Sequence, residues 1–303
     1  MLFGEYQFLC RLESEANLPH FKGSTFRGVF GRALKRVVCA LKKETCESCL
    51  LNSRCMYTLV FENAHPASPH PFVIEPPLTR ETLFQKDSLF AFSLLVFGEL
   101  NRNLPYFIYA FEQMGQIGIG KRVNGQRGRF TLEEVKSGGR PIYSGPSKKI
   151  DLDGSFEDIV LDGNARVPGG TLRLRVDLVT PLRLKYRNRL KAELPFHVLV
   201  RAMLRRLSSL FNTYDKGEPA LDYRGLVRKA EGIQIVDSRL TWYDWERYSS
   251  RQDKAMLMGG MMGHVTYEGE IGEYVALLDF CSRVHMGKQT TFGLGKIKAE
   301  ILG

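Results

Sequence analysis

The stretch V-H-M-G-K-Q-T-T-F-G-L-G-K-I-K-A-E, residues 284–300, decides how this chain is read. It separates a helix-period run from a terminal run that alternates as a strand. Glycine permits close backbone approach and positive φ. Successive backbone N–H groups in such a loop form an anion-binding concavity. Gly287, Gly293 and Gly295 interleave with Lys288 and Lys296 beside His285, which makes phosphate the anion the loop suggests. A comparable turn, Gly115-Gln-Ile-Gly118-Ile-Gly120-Lys121, stands in the matching place of the first half.

Working outward from these two turns, each half reads through the same element order. In the first half Glu5–Glu13 alternates as a strand. Ser24 is a plausible N-cap for a helix over Thr25–Lys42, with Phe26, Val29, Phe30, Ala33, Leu34, Val37, Val38 and Leu41 at helical spacing. Extended segments are expected at Tyr57–Glu62, Phe72–Leu78 and Leu89–Glu99, a helix at Leu104–Met114, and a strand near Arg129–Val135. In the second half Thr171–Lys185 reads as a strand and Leu194–Phe211 as an amphipathic helix. Extended runs cover Gly232–Trp245 and Met256–Glu268. A helix over Tyr274–Val284, the glycine loop and a strand over Lys296–Leu302 complete the order. The expected class is α+β, with two tandem ferredoxin-like (βαββαβ) domains. Residues 1–145 form the first domain and residues 171–303 the second. Residues 146–170, within the Gly-, Pro-, Ser- and Asp-rich stretch Gly138–Gly170, form the linker.

The 303 residues, 44% hydrophobic and 25% charged, exclude a disordered chain. A formal net charge of +10 favours polyanions, nucleic acid ahead of anionic membrane. No signal peptide opens the chain, and the apolar run Leu89–Gly98 is too short to span a bilayer, so a cytoplasmic protein is expected.

Cys39, Cys46, Cys49 and Cys55 form C-x6-C-x2-C-x5-C. The central C-x2-C lets two thiolates reach one ion, and the flanking pair completes a four-sulfur shell. Structural zinc in the loop after the first helix is the expected cofactor; an iron–sulfur cluster fits the spacing about as well. The other reading is four free thiols that happen to cluster. A closed four-sulfur shell has no open position for substrate, so no catalytic metal is expected. Cys281 falls on an apolar helix face and reads as packing.

Basic residues run without an acid through Arg27, Arg32, Lys35, Arg36, Lys42 and Lys43. They run again through Arg183, Lys185, Arg187, Arg189, Lys191, Arg201, Arg205 and Arg206, against only Glu193. His197, Arg201 and Arg205 follow one another at i+4 and share a helix face. Two one-sign runs on equivalent helices, with two Gly–Lys turns, argue for a groove that tracks phosphates. Among the histidines, His65 and His70 sit in a Pro-rich loop without an evident partner, and His264 adjoins a strand. His20 and His285 each adjoin a phosphate-binding candidate. The chain has no metalloprotease helix motif, Walker A sequence or nucleophile elbow, and no carboxylate cluster for two-metal chemistry.

The run H-M-G-K-Q-T-T-F-G-L-G-K-I at residues 285–297 resembles the glycine-rich loop of the CRISPR repeat-processing endoribonuclease family, part of the RAMP superfamily of CRISPR-associated RNA-binding proteins. Phe21-Lys-Gly-Ser-Thr-Phe-Arg-Gly-Val-Phe-Gly-Arg32 resembles the segment at the first helix of RAMP proteins. The C-x2-C-x5-C-x-Y run ending at Tyr57 resembles a cysteine-bearing branch. The resemblance implies two ferredoxin-like domains, a basic cleft for repeat or guide RNA, and other Cas effector subunits as partners, with neither membrane nor DNA. It also implies metal-independent cleavage by 2′-hydroxyl attack, leaving a 2′,3′-cyclic phosphate. Members often carry a histidine within or just after the first helix, but Phe21–Ala64 contains none. His20 is therefore the first catalytic candidate and His285 the second, assisted by Arg27, Lys35 and Tyr57. Arg32, Lys121, His197, Arg201, Arg205, Gly287, Lys288, Gly293, Gly295 and Lys296 are the expected RNA contacts. The alternative function is a non-catalytic RAMP-type subunit that holds guide RNA.

Overall fold

The computed structural model describes residues 1–62, 68–161, 169–185, 191–249 and 254–302. His65, Arg187 and Arg189 lie outside the described residues. The chain divides into two compact units, Met1–Asp158 and Ile159–Gly303.

In the first unit, β1 (Leu2–Leu12) buries Tyr6, Phe8, Cys10 and Leu12 and exposes Glu5, Gln7 and Arg11, the alternation of a half-buried strand. Helix α1 (Gly23–Val38) and the short α2 (Met56–Phe61) follow, then β2 (Phe72–Glu75) and β3 (Leu89–Phe97). Helix α3 (Leu104–Ile117) and β4 (Phe130–Ser137) complete the unit's main elements. The sheet order is β4-β1-β3-β2, all antiparallel, with Tyr6 opposite Leu94 and Phe8 opposite Val135. This is the ferredoxin-like arrangement, with α1 packed against α3.

Four readings of this half change. The helix begins at Gly23 after Lys22, with no side-chain cap, so Ser24 lies inside the first turn. It ends at Val38 rather than at Lys42, because Cys39 is already extended (φ −78°, ψ 110°). Met56–Phe61 is helical, not extended, because seating Phe61 against α1 outweighs the strand propensity of its residues. The first unit also runs past residue 145. Arg140–Ser144 pairs with β4, Lys149–Ile150 extends that edge, and Glu157–Asp158 pairs with the start of β1.

In the second unit, β5 (Leu172–Leu182) is central. Helices α4 (Phe196–Tyr214) and α5 (Tyr223–Lys229) precede β6 (Gln234–Ser238), β7 (Thr241–Ser249) and β8 (Lys254–Gly269). Helix α6 (Val275–Val284) and β9 (Ile297–Leu302) end the chain. The order β6-β8-β5-β9 matches that of the first unit, and β7 also pairs with β8. Phe196 packs edge-on against Tyr267 and Tyr274, at 4.9 and 5.1 Å between ring centroids. Both hydroxyls are satisfied, Tyr267 donating to the Leu194 carbonyl (2.7 Å) and Tyr274 to that of Leu226 (2.8 Å). No helix among the described residues is long and apolar enough to cross a membrane.

The core of the first unit is aromatic. Phe30 on α1 stacks on Phe111 of α3 at 4.5 Å and meets Phe61 of α2 at 5.5 Å and Phe72 of β2 at 5.7 Å. One ring therefore joins four elements. Phe30→Ala should destabilise the unit by about 3–5 kcal/mol, read by urea unfolding; a loss under about 1 kcal/mol would show that the surroundings collapse into the cavity.

Candidate functional site

In the first unit, positions 27, 31 and 35 of α1 are one turn apart and face α2. Gly31 receives the Phe61 ring: a Cβ there would stand 3.2 Å from Phe61 Cε1. The Arg27 guanidinium lies over the Phe61 ring, 5.2 Å from its centroid, and Lys35 Nζ lies 5.2 Å from the centroid of the Tyr57 ring. Tyr57 and Phe61, one turn apart on α2, stack on each other at 5.4 Å. Three of the expected catalytic residues, Arg27, Lys35 and Tyr57, thus share one face.

His70, set aside in the sequence as partnerless, belongs to this cluster. Its Nδ1 lies 3.0 Å from the Val60 carbonyl oxygen, and its ring lies 6.1 Å from that of Phe72. A carbonyl only accepts, so Nδ1 carries the proton and Nε2 is the acceptor. Burial, followed by the charge of Arg27, pushes the imidazole from 6.5 down to about 4, against the opposing Val60 bond. Only a helical reading of Met56–Phe61 would have revealed this neighbourhood in the sequence.

His20 is exposed just ahead of α1, with Nδ1 3.0 Å from the Arg80 carbonyl oxygen, so its Nε2 is likewise the acceptor. Lys22 is fully buried: its Nζ donates to the carbonyls of Thr79 (2.6 Å) and His20 (3.3 Å), and burial lowers its pKa. It ties the entrance of α1 to the segment carrying Arg80.

The cysteines lie in the α1–α2 loop, Cys39 directly after α1 and Cys55 directly before α2. Burial acts to lower the Lys35 ammonium, but Cys46, Tyr57 and Cys39 outweigh it and hold the pKa above its usual value. The donors suit a thiophilic ion. Yet among the described residues no three Cys, His, Asp or Glu side chains converge closely enough to hold a metal.

In the second unit, α4 buries Phe196, Leu199, Val200, Met203, Leu204, Leu207, Leu210 and Phe211. Its opposite face exposes Arg201 and Arg205, with His197 half-buried. Arg206 departs from the expected basic surface. It is buried, donating through Nη2 to the Val284 carbonyl (2.8 Å) and through Nε to that of His285 (2.9 Å). Burial lowers its pKa to about 10. The guanidinium caps the C-terminus of α6, where the helix leaves acceptors and partial negative charge.

The glycine loop also differs from a backbone anion cradle, because much of its donor set is spent internally. Met286 N–H bonds to Gly295 O (3.0 Å), Gly295 N–H to Pro181 O (3.1 Å) and Lys288 N–H to Arg183 O (3.1 Å). Gly293 N–H bonds to Thr290 O (2.7 Å), and Lys296 N–H to Thr180 Oγ1 (2.9 Å). Gly295 is required by contact: a Cβ there would lie 1.8 Å from Met286 O. His285 is fully buried, with Nδ1 3.0 Å from Leu294 O, which ties its ring into the loop. Gly287 and Lys288 form the exposed edge, Lys296 is half-buried, and Gly293 turns the chain at φ 81°.

His70 makes the first unit pH-sensitive. The unfolded chain takes up this proton near 6.5 and the folded chain only near 4. Between those values the unfolded state binds more protons, so stability is full above 6.5 and falls as the pH drops toward 4. Urea unfolding across this range should show a shallower loss for His70→Gln than for the wild type; equal slopes would contradict the assignment.

Residues 1–154 match a family model, AF_1859_N, described as an N-terminal domain. Residues 176–297 match the model described as CRISPR-associated endoribonuclease Cas6. An uncharacterized protein of Archaeoglobus fulgidus is 24% identical over 292 residues, 92% of this chain and 91% of its own length. Among solved structures, Thermus thermophilus Cas6 is similar with a TM-score of 0.58 at 11% identity, over 99% of this chain and 98% of that one. A chain in a partial Cas6-RT-Cas1–Cas2 complex gives 0.62 at 13% identity, over 99% of this chain but only 46% of that chain. At these identities the structural likeness is one of fold. The chain thus belongs to the family of AF_1859_N by its first half, and its second unit carries the match to the CRISPR-associated endoribonuclease Cas6 family.

Proposed function

We propose that this protein is an endoribonuclease that cuts CRISPR repeat RNA without a catalytic metal. The carrying observation is the α1–α2 face, where Arg27 and Lys35, on the helix that His20 precedes, meet Phe61 and Tyr57 of α2. A 2′-oxygen attacks the adjacent phosphorus and the P–O5′ bond breaks, leaving a 2′,3′-cyclic phosphate and a 5′-hydroxyl. The step needs a base at the 2′-oxygen, an acid at the 5′-oxygen and cations for the charge that grows on phosphorus. His20 Nε2, exposed and oriented by the Arg80 carbonyl, supplies the base. Arg27 and Lys35 supply positive charge, and the Tyr57 hydroxyl positions the phosphate. In the second unit, Arg201 and Arg205 on α4, with Lys288 on the loop edge, bind the RNA backbone. Other Cas subunits are the expected protein partners, as the complex containing the similar chain suggests.

A second reading, a guide-RNA-binding subunit without cleavage, is favoured by the burial of His285 and the low pKa of His70. These withdraw two imidazoles from proton transfer at neutral pH.

Purified protein incubated with repeat RNA in chelator should give 2′,3′-cyclic phosphate ends, and His20→Ala should cut at least about 100-fold more slowly while binding as tightly. Uncut RNA overturns the nuclease reading and leaves the binding one; unchanged cutting by His20→Ala overturns the role of that residue.

The cysteine loop is proposed to take structural zinc, or alternatively an iron–sulfur cluster. Bound metal contributes folding free energy. Stoichiometric zinc in colourless protein, with a lower melting temperature in Cys49→Ser, is the expected result. A visible absorption band on anaerobic purification selects the cluster, and wild-type stability in Cys49→Ser overturns the structural role.

A further inference from the structure

The segment that carries His20 into α1 is tied down along its length, and its last tie is a buried lysine. Ala16 pairs with Phe84 and Asn17 with Leu83, and Leu18 N–H then donates to Thr82 O at 2.7 Å. Pro19 follows; its ring fixes its own φ and favours an extended Leu18. Two side chains continue the line that this short ladder begins. His20 Nδ1 donates to Arg80 O at 3.0 Å, and Lys22 Nζ to Thr79 O at 2.6 Å. Residues 16, 18, 20 and 22 thus meet residues 84, 82, 80 and 79 in turn. On the helix side, Lys22 O accepts the first bond of α1, from Phe26 N–H at 3.0 Å.

A lysine is a costly residue for this place. Its side chain is fully buried, and a buried ammonium must have all its protons met. Here Nζ donates to Thr79 O and to His20 O, the latter at 3.3 Å, and lies 5.6 Å from the centroid of the buried Phe84 ring. Burial disfavours the charged form, and the charge of Glu81 opposes that. A neutral donor could join two loops at less cost. What the ammonium adds is that one centre draws two carbonyls together, one from the histidine itself and one from the residue before Arg80. The peptide that presents Arg80 O is thereby held against the residue whose imidazole it must meet. With that carbonyl in place the proton stays on Nδ1, and the exposed ring keeps its lone pair on Nε2.

We infer that Lys22 is a positioning residue for the cleavage: by bridging the carbonyls of His20 and Thr79, it fixes the orientation and the tautomer in which His20 Nε2 takes the proton of the 2′-hydroxyl. Lys22 acts through His20 and does not itself touch RNA, because no part of its side chain reaches the surface. This role rests on the reading of His20 as the base. Without the bridge the Thr79–Arg80 peptide is released, and the imidazole can turn and carry its proton on either nitrogen. A reacting group displaced by about 1 Å loses rate on the order of 100-fold.

The test compares full-length wild type with Lys22→Met, which keeps the chain length and loses the donors, and with the milder Lys22→Gln. Single-turnover cleavage of repeat RNA in chelator should fall by about 10- to 100-fold in Lys22→Met, with RNA affinity unchanged. Lys22→Met should cost nothing further in a His20→Ala background, because the two residues act as one unit. Nitrogen-15 NMR of the His20 imidazole should show the proton on Nδ1 in the wild type and shared between both nitrogens in Lys22→Met. A folded Lys22→Met that cuts at the wild-type rate, or keeps the wild-type tautomer, overturns the inference. So does an equal loss of rate in the His20→Ala background, which marks a brace for the whole fold. If Lys22→Met does not fold, Lys22→Gln decides by the same measurements. Cutting that survives His20→Ala overturns the base and its positioning residue together. Wild-type protein that does not cut overturns the nuclease reading, and the imidazole spectrum then decides the bridge on its own.

Discussion

The ring of Phe61 seated over Gly31 is the contact on which the candidate site of the first unit depends. Glycine at that position lets the ring sit this close: a Cβ there would stand 3.2 Å from Phe61 Cε1, so the ring would have to give by a few tenths of an ångström. Once α2 is docked, Tyr57 comes under Lys35, Phe61 under Arg27, and the Val60 carbonyl meets His70. The aromatic rings hold both cations over their faces, an attraction worth about 0.5–2 kcal/mol each. The same packing raises the cost of charging His70, so one apolar contact sets both the position and the protonation state of its polar neighbours.

The terminal glycine loop shows a different division of labour. Its glycines serve close packing and turning, with Gly295 against the Met286 carbonyl and Gly287 near that of Arg183. Buried backbone groups must find partners, and here the 3₁₀ turn Thr290–Phe292, the end of β5 and the Arg206 guanidinium provide many of them. A loop braced this way has much of its amide set spent internally and leaves Lys288 exposed. In the first unit the corresponding turn is a β-hairpin, and there too the glycines fix the backbone while cationic side chains face outward.

Much of the architecture was legible as residue pattern. Alternation in β1 and β5, the apolar stripes of α1 and α4 and the two glycine turns predict a doubled ferredoxin-like order, and both sheets have that strand order. The short elements were less legible. Six residues at Met56–Phe61 carry too little periodicity to separate strand from helix, and the short strands at Lys149–Ile150 and Glu157–Asp158 hide in a loop-like composition. Arg206 looked like one more surface cation, since charge in a sequence does not say which face of a helix will meet a neighbour's C-terminus.

The sequence by itself determined the periodic elements, their doubled order, the basic balance and which residue types were present to handle a phosphate, because these follow from local spacing and composition. Only the tertiary structure decided which of those residues meet. It gathered Arg27, Lys35, Tyr57 and His70, and buried His285 and Arg206. The physical reason is that such contacts arise from the packing of apolar side chains far apart in the chain, and polar groups are carried to wherever that packing leaves them.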